Sequence, residues 1–182
     1  MAKLKLFDSA FLDIVISRLS QQIIENHDNF SESVILGMQP RGIFFANRIK
    51  NKIKEISDID IEIGKLDITF YRDDFRRRAE PLKANETFIP FALENKKVLL
   101  IDDVLYTGRT VRAALDAMLA FGRPSKVELV TLIDRKYSRD LPIEATYVGK
   151  TVNTIQSQRV IVEWKEQGFE SDNIWLVSEQ NK

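Results

Sequence analysis

Apolar residues return along the chain with two different periods, and the alternation between those periods predicts the architecture. Phe11, Ile14, Val15, Leu19 and Ile23 recur at helical spacing, with Asp8 or Ser9 placed to cap a first helix that runs to about Glu25. Polar residues 26–33 end it. Residues 34–38 are a strand candidate, and the tight sequence Gln39-Pro40-Arg41-Gly42 follows. A second helix is predicted from about Ile43 to Ile56, with Ala46, Ile49, Ile53 and Ile56 on one side. Its Lys50, Lys52 and Lys54 fall mainly on other faces and read as a solvated surface. Residues 61–70 alternate well enough for a strand. Residues 71–86 are dense in charge, carry Arg76, Arg77 and Arg78, and show no periodicity; such a stretch is either disordered or a functional lid.

The unbroken apolar run 98–101 suits a strand buried on both faces of a parallel sheet. Asp102 and Asp103 end it. A turn with Thr107, Gly108 and Thr110 leads into a third helix from about Arg109, with Val111, Leu115, Met118 and Leu119 on one side, stopped by Gly122 and Pro124. Residues 126–133 form another strand candidate, ending at Asp134-Arg135. Past Leu141-Pro142 come short strand candidates at 146–148, 160–164 and 174–177. This order predicts an α/β fold, a mostly parallel sheet with helices on both faces. It is read as one domain: a core over about 1–133, a lid over about 71–90 and a small β-rich C-terminal hood over about 134–182. Ligands of such folds bind at the carboxyl ends of the strands, where the loops 39–42, 102–110 and 134–140 are expected to meet.

Composition narrows the function. At 182 residues the chain can bury roughly 70% of its unfolded surface. Its 27 basic and 27 acidic residues cancel, so any nucleic-acid role would need a local basic patch. The absence of cysteine excludes disulfides and thiolate chemistry and fits a reducing compartment. No run approaches the roughly 18 apolar residues of a membrane span, so no membrane partner and a cytoplasmic location are expected. His27, the only histidine, follows a helix and is expected at the surface, without a catalytic role. Trp164 and Trp175 are expected to serve packing or an interface.

The chemistry concentrates in residues 98–112. A helix N-terminus offers unpaired N–H groups and a positive dipole end, which together attract phosphate. Carboxylates one loop away suit sugar hydroxyls and a hydrated divalent cation. Acidic pairs after an apolar run also occur in phospho-acceptor receiver domains, but there the pair lies near the N-terminus and no phosphate loop follows. The P-loop pattern Gly-x-x-x-x-Gly-Lys-[Ser/Thr] is absent.

The segment 98–110 resembles the phosphoribosyl-pyrophosphate motif of type I phosphoribosyltransferases: four apolar residues, two acids, then a loop ending Thr-Gly-Arg-Thr. Within that class the chain resembles the pyrimidine-operon attenuation regulators that are also uracil phosphoribosyltransferases. The resemblance runs nearly end to end, through Gly-Met-Gln-Pro-Arg-Gly-Ile (37–43), Asp-Ile-Thr-Phe-Tyr-Arg-Asp-Asp (67–74), Asp-Asp-Val-Leu-Tyr-Thr-Gly-Arg-Thr (102–110), Phe-Gly-Arg-Pro-Ser (121–125) and Leu-Pro-Ile-Glu-Ala-Thr-Tyr-Val-Gly-Lys (141–150).

The resemblance implies that uracil and phosphoribosyl pyrophosphate give UMP and pyrophosphate, with Mg²⁺. Asp102, Asp103 and Arg41 would be the catalytic residues. The two aspartates would contact ribose hydroxyls and hold the metal through water; Arg41 would neutralise pyrophosphate charge. Phosphoribosyl pyrophosphate would lie against Pro40, Arg41, Gly42, Arg72, Asp102 and Asp103. Val104 and Leu105 would also face it, and its 5′-phosphate would be held by the backbone amides of Tyr106, Thr107, Gly108, Arg109 and Thr110 with the Thr107 and Thr110 hydroxyls. In this class the 39–42 loop often has a strained non-proline cis peptide, expected here between Pro40 and Arg41. Tyr106, Arg135 and the backbone near Val160 would frame the base. The basic unit implied is a homodimer, with assembly into higher homo-oligomers open.

Where hypoxanthine-guanine enzymes of the class usually have an aspartate just before Thr-Gly, this chain has Tyr106, which disfavours a purine and suits uracil. Uracil's N1 proton is acidic enough that no side-chain base is assigned. The second function implied is binding of pyrimidine-leader mRNA. Arg18, Arg139 and Lys150 stand where its RNA-binding face is expected to be basic. Ile14, Gln21, Asn26 and Glu144 stand where further basic or imidazole groups are expected, and Glu144 would repel phosphate. Catalysis is therefore expected to persist, with RNA binding weakened, altered or lost. Three readings stay open: salvage enzyme (uracil or, less favoured, purine), RNA-binding regulator with little catalysis, and a protein that does both.

Overall fold

The computed structural model describes residues 2–73, 84–155 and 157–178. Strand β1 (Ala2–Phe7) leads into helix α1 (Ser9–His27), which Asp8 caps by accepting a hydrogen bond from the Phe11 N–H at 2.9 Å. There follow β2 (Ser33–Met38), α2 (Gly42–Ser57), β3 (Ile63–Leu66), β4 (Lys97–Leu105), α3 (Arg109–Met118), β5 (Lys126–Lys136), β6 (Tyr147–Asn153), β7 (Gln158–Glu163) and β8 (Asn173–Ser178). Five strands form an all-parallel sheet in the order β3-β2-β4-β5-β6. A second, antiparallel sheet runs β1-β8-β7.

The central strands are apolar on both faces because both faces are covered. Along β4, Leu99 and Ile101 join the layer under α1 and α2, while Val98 and Leu100 join the layer under α3. Both layers are closed off from water, and each fully buried Leu or Ile contributes about 1.5–3 kcal/mol. Trp164 is fully buried, stacked on Phe45 of α2, as expected of a packing residue.

Several expectations need correction. The stripe that α1 buries is Leu12, Val15, Ile16, Leu19 and Ile23; Phe11 and Ile14 are exposed, on the flank that β6 and α2 leave uncovered. Leu119 is likewise exposed, in a 3-10 turn (Leu119–Phe121) after α3. His27 is buried, because α1 runs on to it and tucks it beneath the start of β2. The strand expected over 61–70 closes at Leu66. There the Asp67 N–H turns to the Thr87 hydroxyl and the Asp67 carboxylate takes the Thr69 hydroxyl at 2.8 Å, starting a 3-10 turn at Thr69–Tyr71. The core does not end at 133: β5 continues to Lys136 and β6 is the fifth strand of the main sheet. The small sheet is in turn built from both chain ends, since β1, which the hydropathy pattern did not predict, pairs with β8. Most of the expected lid, with Arg76–Arg78, falls outside the described residues. Among those described, no helix is long and apolar enough to cross a membrane.

Candidate active site at the carboxyl edge of the sheet

Parallel strands end at one edge, and here β2 and β4 are neighbours. The turn after β2 and the acidic pair of β4 therefore meet. A cavity of about 460 Å³ opens at that edge, lined by Pro40 and Arg41 after β2, Asp102, Asp103 and Val104 from β4, Tyr106 just after it, and Thr110 at the start of α3. Arg135 from β5 and Val160 from β7 complete the far wall, and Arg72 the wall beside β3. Most of the residues expected to act together thus share one space.

Asp102 and Asp103 belong to β4 itself, which runs past them to Leu105. Both are buried, at 9% and 3% exposure. The Asp103 N–H donates to Asp102 Oδ1 at 2.9 Å. Burial and the neighbouring Asp103 push the Asp102 carboxyl well above the usual range. Burial also raises Asp103, with Arg41 opposing it. Arg41 Nε lies 3.1 Å from Asp103 Oδ2, yet that oxygen has no hydrogen-bond partner among the described residues. The pair needs further positive charge to stay ionised. Among the described residues no group of three or more His, Cys, Asp or Glu could cage a metal by itself. The donor set therefore fits a hard cation that keeps most of its waters and reaches the aspartates through them.

Gly42 does not line the cavity but makes the approach possible. A Cβ there would come within 2.6 Å of the Ile101 carbonyl oxygen, so α2 can start this close to β4 only with glycine. The cis peptide in the loop is Gln39–Pro40, not Pro40–Arg41. Cis geometry is far easier before proline than before any other residue.

The turn between β4 and α3 contributes mainly backbone. Gly108, at φ 89°, is the α3 N-cap, a left-handed position that favours glycine. The Leu105 side chain is buried in the apolar layer under α3. The Thr107 hydroxyl accepts from the Arg109 N–H at 3.4 Å, and its carbonyl accepts from Asp140 N at 3.0 Å and Leu141 N at 3.2 Å. The Arg109 side chain points away, pairing with Asp73 at 2.6 Å and Asp140 at 2.9 Å. Arg109 does not line the cavity, and its backbone N–H is the donor to the Thr107 hydroxyl.

Arg135 is 5% exposed, and its guanidinium lies over the Tyr106 ring with Cζ 3.7 Å from the centroid. The RNA candidates are committed elsewhere. Arg139 donates to the carbonyls of Tyr106, Arg135 and Ile143 and pairs with Asp134, so it braces the phosphate turn from behind. Arg18 donates to the carbonyls of Val148 and Gly149 in β6. Lys150 is exposed, its ammonium 5.5 Å from the Phe7 ring centroid.

Five lining residues had not been singled out: Gln39, Ile68, Thr69, Asn85 and Arg159. Gln39 and Arg159 adjoin residues that were, and Ile68 and Thr69 lie inside a quoted motif. Asn85 lies within the stretch expected as a lid over about 71–90. It is brought in by Asp67, whose carboxylate accepts from the Asn85 amide at 3.3 Å.

Comparisons with known proteins agree with this geometry. The model of the phosphoribosyl transferase domain matches residues 6–167. A "Bifunctional protein pyrR" of Enterococcus faecalis is 43% identical over 166 residues, covering 91% of this chain and 92% of that protein. One of Elusimicrobium minutum is 42% identical over 174 residues, covering 96% of each. Among solved structures, the hypoxanthine phosphoribosyltransferase of Trypanosoma cruzi superposes with a TM-score of 0.72 at 14% identity, covering 97% of each chain. That of Staphylococcus aureus gives 0.68 at 20% identity, covering 93% of this chain and 90% of the other. At such identities these two speak for the fold alone. The chain belongs to the phosphoribosyltransferase family and, within it, to the PyrR family of bifunctional proteins.

Proposed function

We propose that this chain transfers the phosphoribosyl group of phosphoribosyl pyrophosphate to uracil, giving UMP and pyrophosphate. The observation that carries the reading is the single cavity in which a buried acidic pair, Arg41, the start of α3 and the Tyr106–Arg135 wall face one another. Displacement at the anomeric carbon builds positive charge on the ribose ring and negative charge on the departing pyrophosphate. Such a reaction needs positioning and charge stabilisation rather than a covalent nucleophile.

Asp102 and Asp103 hold the ribose hydroxyls, their negative charge set beside the carbon that becomes cationic. The backbone amides over 106–110 and the Thr110 hydroxyl hold the 5′-phosphate at the N-terminus of α3. Arg41, drawn in by Asp103, meets the pyrophosphate, and Arg72 approaches it from the β3 side. Mg²⁺, held by Asp102 and Asp103 through water, would supply further charge to the pyrophosphate oxygens. Tyr106, rather than an acidic residue, faces the base, which favours uracil over a purine.

Incubation with phosphoribosyl pyrophosphate, Mg²⁺ and either uracil or hypoxanthine tests this. UMP is expected from uracil, with little product from hypoxanthine; no UMP would overturn the reading.

Regulation through pyrimidine-leader mRNA is the second reading, supported by relatives named as bifunctional. We propose that such binding is weakened here. Arg139 and Arg18 are bonded to backbone carbonyls, and Glu144 and Ile14 are exposed where cations would be needed. Filter binding with leader RNA checks it. Tight, salt-sensitive, UMP-enhanced retention would sink the weakened version.

A further inference from the structure

We infer that Thr154 is a positioning residue for the base: its hydroxyl fixes the Arg135 guanidinium against Tyr106, so that the Tyr106 ring stands as a set wall of the base subsite. The inference rests on the uracil-transferase reading above. Thr154 does not line the cavity and is 9% exposed, just past the end of β6. Its Oγ1 accepts from Arg135 Nε at 2.9 Å, while Arg135 Nη2 donates to the Gln158 carbonyl at 2.8 Å. A guanidinium is a rigid plane of N–H donors, so acceptors on two of its nitrogens fix the plane as well as the position. The face that remains meets Tyr106 at 3.7 Å. Tyr106 is 38% exposed and lines the cavity. The stacked cation lies against that ring.

The three partners come from different parts of the fold. Arg135 is on β5 of the main sheet, Thr154 follows β6, and Gln158 opens β7 of the small sheet. The arrangement therefore sets the base wall relative to both sheets. Arg135 commits two of its donor nitrogens to the protein, and its influence on the base passes through the Tyr106 ring.

Steady-state kinetics of Thr154→Val and Thr154→Ser test the inference. Valine keeps the shape and removes the acceptor; serine keeps the acceptor. Thr154→Val is expected to raise KM for uracil about tenfold, the scale of one lost hydrogen bond to a charged group. KM for phosphoribosyl pyrophosphate and kcat should stay within about twofold, and Thr154→Ser should restore the uracil KM. A parallel rise in both KM values, no rise, or no rescue by serine overturns it. A wild-type chain that makes no UMP would instead overturn the enzyme reading. The positioning claim would then be read from the Arg135 Nε–H resonance. That signal is expected to be protected from exchange and shifted upfield by the Tyr106 ring in wild type and Thr154→Ser, and to lose both features in Thr154→Val. An identical signal in all three overturns it.

Discussion

At the carboxyl end of the parallel sheet, Asp102 and Asp103 sit side by side on the cavity wall with Arg41 beside Asp103. At the amino end, His27 closes α1 over the starts of β2 and β5, its Nε2 2.8 Å from Glu128 Oε2 and its Nδ1 2.8 Å from the Ser33 hydroxyl. Lys126 adds a contact to Glu128 at 2.8 Å, and Phe30 stacks on the imidazole. Both ends bury titratable groups. At the amino end every charge faces an opposite or neutral partner from the same chain. At the carboxyl end two like charges share a buried space, and Arg41 is paired with Asp103. Burying an underpaired charge is costly, so a fold keeps such an arrangement where a ligand completes it. The difference separates structure from function without reference to any relative.

The sharpest way to break this contrast is Asp103→Asn, which keeps shape and removes charge. Turnover is expected to fall by about 10²–10³-fold, the scale of a lost transition-state electrostatic contact, with the far-UV spectrum and cooperative melt preserved. Unchanged turnover would end the ribose and metal assignment. At the other end, Glu128→Ala leaves His27 without its charged partner. A loss of about 1–2 kcal/mol in urea unfolding is expected, the scale of a buried donor left without its acceptor, while KM for uracil stays as in wild type. A change confined to KM would mean that the two ends are not separate.

The two ends should also respond oppositely to pH. The folded-state pKa of Asp102 is raised, so the folded chain holds that proton more tightly than the unfolded one. Stability is then lost as pH climbs from the ordinary carboxylate range through the folded value. Without ligand or metal, Asp102→Asn should melt increasingly above wild type as pH rises from 4 to 7. A constant offset would show that the burial cost is absent. His27 is lowered by burial, against the pull of Glu128, so the unfolded chain takes up the proton first and stability is lost as pH falls below about 6.5. His27→Gln should flatten the wild-type fall in melting temperature between pH 7 and pH 5. This is the smallest of the four effects, and equal slopes would remove the histidine from the account.

Much of this was legible in the chain. The run 98–101, the acidic pair and the Thr-Gly-Arg-Thr turn carried strand, site and helix start together, because a buried parallel strand, a phosphate turn and a helix cap each demand particular residues at fixed offsets. The second helix was placed almost to the residue. Strand β1 was missed because Lys3 and Lys5 break its apolar pattern; as an edge strand it needs only one covered face, and both lysines lie over Trp175. His27 was misplaced because a lone polar residue after a helix has no local mark of burial. Its partner Glu128 lies about a hundred residues away and also reads as surface charge. Arg139 looked like a free cation for the same reason: the carbonyls that hold it come from 106, 135 and 143.

By itself, then, the sequence determined the α/β class, the strand–acid–phosphate-turn motif and the identity of Tyr106 before the turn, since each depends on residues a few positions apart. Only the tertiary structure decided how burial and pairing divide the charges. It set an underpaired acidic pair at one edge and a paired histidine at the other, turned Arg139 and Arg109 away to brace loops, and brought Thr154 and Gln158 to Arg135. Those outcomes depend on which strands become neighbours, and parallel neighbours are joined by crossovers rather than by tight turns.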